Sequence, residues 1–75
     1  MFIAEAAIIP SAQSPETVPF LSVVVADEPA AIEALTAALT ARGVSPSDAA
    51  SYASQTTQTW TDFREVNTTL RIASQ

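Results

Sequence analysis

Three groups of residues have types and spacings that could support chemistry: Asp62 with Glu65, Asp27 with Glu28, and Trp60 with Phe63. Paired carboxylates do general acid–base work when a desolvating pocket lifts one pKa well above the other. Asp62 and Glu65 instead flank Arg64, and Asp27 and Glu28 stand at a helix start, where acids stabilise the dipole without further purpose. The chain has no His, no Cys and no Lys. That removes the imidazole base, the thiolate, the Schiff-base amine and the lysine that grips phosphate. A single glycine, Gly43, cannot build a phosphate cradle, and no acids alternate around a glycine as a calcium loop requires. A magnesium ion on Asp62 and Glu65 would be held without specificity. The residues therefore read as non-enzymatic, with no catalytic group, cofactor, metal or small-molecule substrate.

Trp60 and Phe63 have a second use. Aromatic residues one helical turn apart can anchor a partner, and Trp is enriched at binding hot spots. The same spacing also suits a core-facing stripe, and the two roles merge where a core is shared between subunits.

Charge narrows the partners. Eight acids against Arg42, Arg64 and Arg71 give a net charge of -5. Three scattered arginines make no basic face for nucleic acid or anionic lipid. The first residues, Met1-Phe2-Ile3-Ala4-Glu5, lack the positive stretch of a secretory signal, and the run Val18 to Ala26 is too short to span a bilayer. The expected location is cytoplasmic or within an assembled particle. With 75 residues and no cysteine, neither a large core nor a disulfide stabilises the fold, so a protein partner is the remaining route.

The elements that must position these residues read as mainly α. Ser45, Pro46 and Asp48 form a helix start, and Ala49, Ala53, Thr56, Trp60, Phe63, Asn67 and Leu70 follow on one stripe, with Tyr52 and Val66 on its shoulder. This predicts a helix from 46 to about 70. Thr56 and Asn67 would set register in a helical assembly. Asp27-Glu28-Pro29 opens an earlier helix over 28–42 with Ile32, Leu35 and Leu39 as its apolar line, and Gly43 stands at its left-handed end. The short link Gly43-Val44-Ser45 folds the two into a helical hairpin, a single small domain over 27–75. A rival reading ends the chain as a strand, because Val66, Thr68, Leu70 and Ile72 alternate with polar residues.

Residues 1–26 read as an extended, proline-containing N-terminal arm. Phe2, Ile3, Ala6 and Ile9 suit either a helical face or a short extended segment, and Pro10 to Pro19 reads as a linker. The β-branched run in Phe20 to Ala26 favours one short strand covered on both faces, paired with another chain or with the C-terminal tail, with a helix lead-in as the alternative.

Two helices, one rich in alanine, offer too little surface to cover this front third. The expectation is a small structural or accessory subunit that docks into a larger assembly, such as a virion or another repeating particle. Its partner-binding residues would be Phe2, Ile3, Ile9, Phe20, Leu21, Val23, Val25, Trp60 and Phe63. The alternative is an acidic regulator that occludes a basic site on a target protein. A third reading, an apolar segment lying on neutral lipid, lacks flanking cations.

Overall fold

Asp27 begins the first helix: its Oδ1 accepts the Ala30 N–H at 2.9 Å, and Pro29 occupies the first turn with its preset φ. This helix, α1, runs Glu28–Ala41. Gly43 adopts φ +98°, where a side chain would be strained, and the N–H groups of Gly43 and Val44 return to the carbonyls of Thr40 and Leu39. Ser45 caps the second helix, α2, Pro46–Ser54, its Oγ accepting the Asp48 N–H at 3.3 Å.

Around these helices the architecture is not the expected helical hairpin. The computed structural model describes all 75 residues. Strands β1 (Phe2–Ile8) and β2 (Pro19–Val25) precede α1 and α2. After them come β3 (Thr61–Phe63), a 3-10 turn over Arg64–Val66, and β4 (Thr68–Ser74). The strands form one antiparallel sheet in the order β2-β1-β4-β3. The protein is a small α/β fold.

The expected arm is the middle of this sheet. β1 pairs with β2 on one side and β4 on the other, with Ala4 opposite both Val23 and Ile72. Ala4 and Ala6 are fully buried. Alanine is a helix former in isolation, but here its small side chain lets a helix lie close over the sheet. Leu35 and Leu39 of α1 occupy that space, in one core cluster with Ala31, Ala49, Ala53, Phe63, Leu70 and Ile72.

The second helix stops at Ser54, well short of residue 70. Beyond it stand Thr56, Thr57, Thr59 and Thr61, whose β-branched side chains favour extended backbone. Thr56 Oγ1 donates to the Tyr52 carbonyl at 3.1 Å, and the chain then leaves the helix. Thr57 C=O takes the Ile72 N–H at 2.9 Å, so this stretch runs along β4 before β3 begins. Asn67, expected on a helical stripe, takes φ 51° between the 3-10 turn and β4, a left-handed position that Asn tolerates better than most residues.

The segment over 20–26 is a strand at 19–25, but its ladder is with β1 and not with the C-terminal strand. It is also not covered on both faces. Leu21, Val23 and Val25 pack against the core, whereas Phe20 and Val24 are 37% and 51% exposed. Alternation from Leu21 to Val25 decides which side each of these takes, and a bulge sets Phe20 apart.

Candidate functional site

Both helices lie on one side of the sheet, and no helix covers the other. The molecule measures only 17 Å along its thinnest axis, room for a sheet and one helical layer about 10 Å away. Alternation turns Ile3, Glu5 and Ala7 of β1, Ser22 and Val24 of β2, and Thr69, Arg71 and Ala73 of β4 onto this open face. Asp62 follows from β3 by its register with Thr69.

An open antiparallel face ordinarily carries polar side chains toward water. This one carries five, Glu5, Ser22, Asp62, Thr69 and Arg71, beside Ile3, Ala7, Val24 and Ala73. Its charges cancel locally: Arg71 Nε lies 3.1 Å from Glu5 Oε1, and Arg64 lies 3.8 Å from Asp62. Ser22 Oγ reaches Glu5 Oε2 at 3.5 Å. The Arg71 guanidinium also stands 5.8 Å from the Trp60 ring, within range of a cation–π attraction. Ala7 and Thr69 are buried on this side, and the Thr69 hydroxyl has no hydrogen-bond partner.

The acids without an arginine nearby lie elsewhere. Glu16 is in the β1–β2 connection, Asp27, Glu28 and Glu33 are on α1, Asp48 is on α2, and Glu65 is in the 3-10 turn. A chain of net charge -5 thus presents a neutral sheet face and an acidic helical layer. Glu65 accepts a hydrogen bond from the Tyr52 hydroxyl at 3.1 Å. Partial burial raises the Tyr52 pKa above its ordinary 10.0, with added contributions from that bond and from the charges of Glu65 and Asp48.

The nine residues expected to bind a partner are not gathered on one surface. Phe2, Leu21, Val23 and Val25 turn inward against the core, and Phe63 is a core residue itself, 9% exposed. The Phe63 ring packs 5.0 Å from that of Tyr52. Ile3 is on the open face. Trp60 and Phe63, expected on one helical stripe, diverge because the backbone between them is extended: three residues along a strand lead to opposite faces. Phe20 lies at the sheet edge beneath the Arg42 guanidinium, 4.4 Å from its ring. Ile9 lines a crevice of about 270 Å³ in the β1–β2 connection, with Ile8, Ser11, Ser14, Glu16 and Val18.

Val24, Ala73 and the Glu5–Arg71 pair were missed at the level of sequence. The alternation Thr69, Arg71, Ala73 against Thr68, Leu70, Ile72 carried the signal for the C-terminal part. No three acidic side chains converge in the fold, and no helix is long and apolar enough to cross a membrane. Compared with known proteins, the chain matches no family model, no curated protein and no solved structure.

Proposed function

We propose that this chain is a small non-catalytic accessory subunit that docks by protein–protein contacts into a larger assembly, of which a repeating multi-subunit particle is one example. The observation that carries the reading is the sheet face that no helix covers, where Ile3, Val24, Ala73 and Trp60 accompany charges paired within the face. The acids without an arginine partner lie on other surfaces, so the net charge to be covered is smallest here. Because β1 is inside the sheet, no free N-terminal arm is left to find a neighbour. What supports the reading is the half-covered sheet.

The acidic-regulator alternative needs clustered carboxylates. Asp27 and Glu28 lie at the start of α1, whereas Asp48 follows its far end. A helix of 14 residues spans about 20 Å, so these acids do not make one patch.

The test is native mass spectrometry of the chain isolated with its partners over a salt series. The accessory reading expects a complex that survives about 0.5 M salt, where surface charge is largely screened. It also expects Ile3→Glu to release the chain with its fold intact by circular dichroism. A chain recovered alone at every salt concentration contradicts it. A complex lost on raising salt and indifferent to Ile3→Glu favours the acidic regulator.

A further inference from the structure

We propose that two copies of this chain join through their β2 edges, antiparallel and centred on Ser22, into one continuous sheet.

The two edges of the sheet are not alike. On the β3 side the edge strand is three residues long and bears Asp62, with Arg64 directly after it. Shortness and charge are the usual protections of a free edge. The β2 edge has seven residues, Pro19–Val25; Pro19 and a bulge at Phe20 protect its first end, and the five residues from Leu21 to Val25 carry no charge. Its residues form no backbone hydrogen bond beyond the ladder with β1, and no side chain caps their free groups. Alternate N–H and C=O groups of a β-rich apolar strand are therefore offered sideways, which is the template for strand addition.

The occupant is argued from the strand's own symmetry. Antiparallel self-pairing across a two-fold axis keeps like faces together only when the axis passes at a residue, and full overlap of 19–25 puts that residue at Ser22. In this register Leu21 lies opposite the partner's Val23 and Ser22 opposite its own copy, while the register shift between Ala6 and Ala7 makes Phe20 a bulge whose ring turns toward Arg42. Two apolar Leu21–Val23 pairs then flank the axis, and Val24, 51% exposed in the single chain, stands beside the seam.

Charge agrees with the direction. Arg42 stands over Phe20 at the first end of β2, and Asp27 and Glu28 follow its last end. Antiparallel pairing brings the cationic end of one copy to the acidic end of the other, twice. The assembly then closes at two, because the outward edges are the protected β3 edges. Val24 borders both this edge and the open face, so the backbone ladder, read by amide exchange on the isolated chain, separates self-pairing from docking on the face.

Sedimentation equilibrium of the full chain tests this. The expected result is a reversible dimer of 7.9 kDa chains with a Kd on the order of 10 μM, as for a small interface. Val24→Lys, at an exposed position that the fold does not use, should weaken it by about 100-fold. Arg42→Glu should weaken it by about tenfold, and adding Glu28→Arg should restore it. Amide exchange on the unaltered chain provides a readout without substitution: alternate amides of 21–25 slow as concentration rises. A chain that stays monomeric to about 500 μM, fifty times that Kd, overturns the proposal and leaves the accessory reading standing. So does growth beyond two copies, or a dimer whose affinity ignores Val24→Lys and whose β2 amides ignore concentration.

Discussion

Arg71 Nε and Glu5 Oε1 lie 3.1 Å apart, directly across the β1–β4 register, on the face of the sheet that no helix covers. The pair is close, yet the Nε–H is not aimed at the oxygen and makes no hydrogen bond. Its side chains are 33% and 14% exposed, between the surface and buried regimes. Glu5→Gln should therefore cost about 1 kcal/mol and lower Tm by about 4–8 °C. Arg71→Gln on top of it should recover part of that loss. A Glu5→Gln protein that melts with the parent would show the pair to be inert.

Two adjacent threonines make opposite predictions. Thr68 Oγ1 donates to the Val66 carbonyl at 2.8 Å, while Thr69 Oγ1 is buried and unpartnered. Replacing a satisfied hydroxyl with a methyl group loses a hydrogen bond and strands its acceptor, whereas replacing an unsatisfied one removes a desolvation penalty. Thr68→Val should destabilise by about 1 kcal/mol, and Thr69→Val should be neutral or stabilise by up to about 1 kcal/mol. Urea midpoints rank the pair, and the reverse order contradicts the hydrogen-bond assignment.

The helix caps differ in length and should differ in worth. Asp27 Oδ1 receives the Ala30 N–H at 2.9 Å, and Ser45 Oγ receives the Asp48 N–H at 3.3 Å. Asp27 also places a negative charge at the N-terminus of α1. Asp27→Ala should cost about 1–2 kcal/mol and Ser45→Ala about 0.5–1 kcal/mol, read as shifts in thermal melting. Equal effects would mean that the charge and the shorter bond contribute nothing.

Tyr52 is the only tyrosine, so its ionisation can be followed by absorbance alone. Its pKa is raised in the folded chain by partial burial first, then by Glu65. The unfolded phenol ionises near 10. As pH rises past that value the unfolded chain loses its proton first, so folding stability is intact below about 10 and declines toward the folded-state pKa. Tyr52→Phe should abolish this alkaline decline. A folded-state phenol that ionises at or below 10 would contradict the Glu65 contact.

Local signals were legible in the sequence, and their assembly was not. Asp27, Gly43 and Ser45 mark helix ends through their own backbone preferences, which need no distant neighbour. The β-branched run at 20–25 likewise announces extended structure. Ala4 and Ala6 announce the opposite of what they do, because their place in the sheet is set by the need to admit Leu35 and Leu39 from α1. The stripe through Trp60 and Phe63 was a coincidence of spacing, undone by the threonines between α2 and β3. The open face could not be seen before β1 and β4 were known to be neighbours, since Ile3 and Ala73 meet only through their register.

Everything proposed for the surface depends on β1 being the inner strand of the chain's own sheet. Amide hydrogen exchange resolved by residue measures this directly. Ala4, Ala6, Leu70 and Ile72 should be among the slowest amides, with 9–18 fast and protection in α2 ending near Ser54. Rapid exchange throughout 2–8, with slow amides continuing from 46 to 70, would restore the helical hairpin and contradict the account.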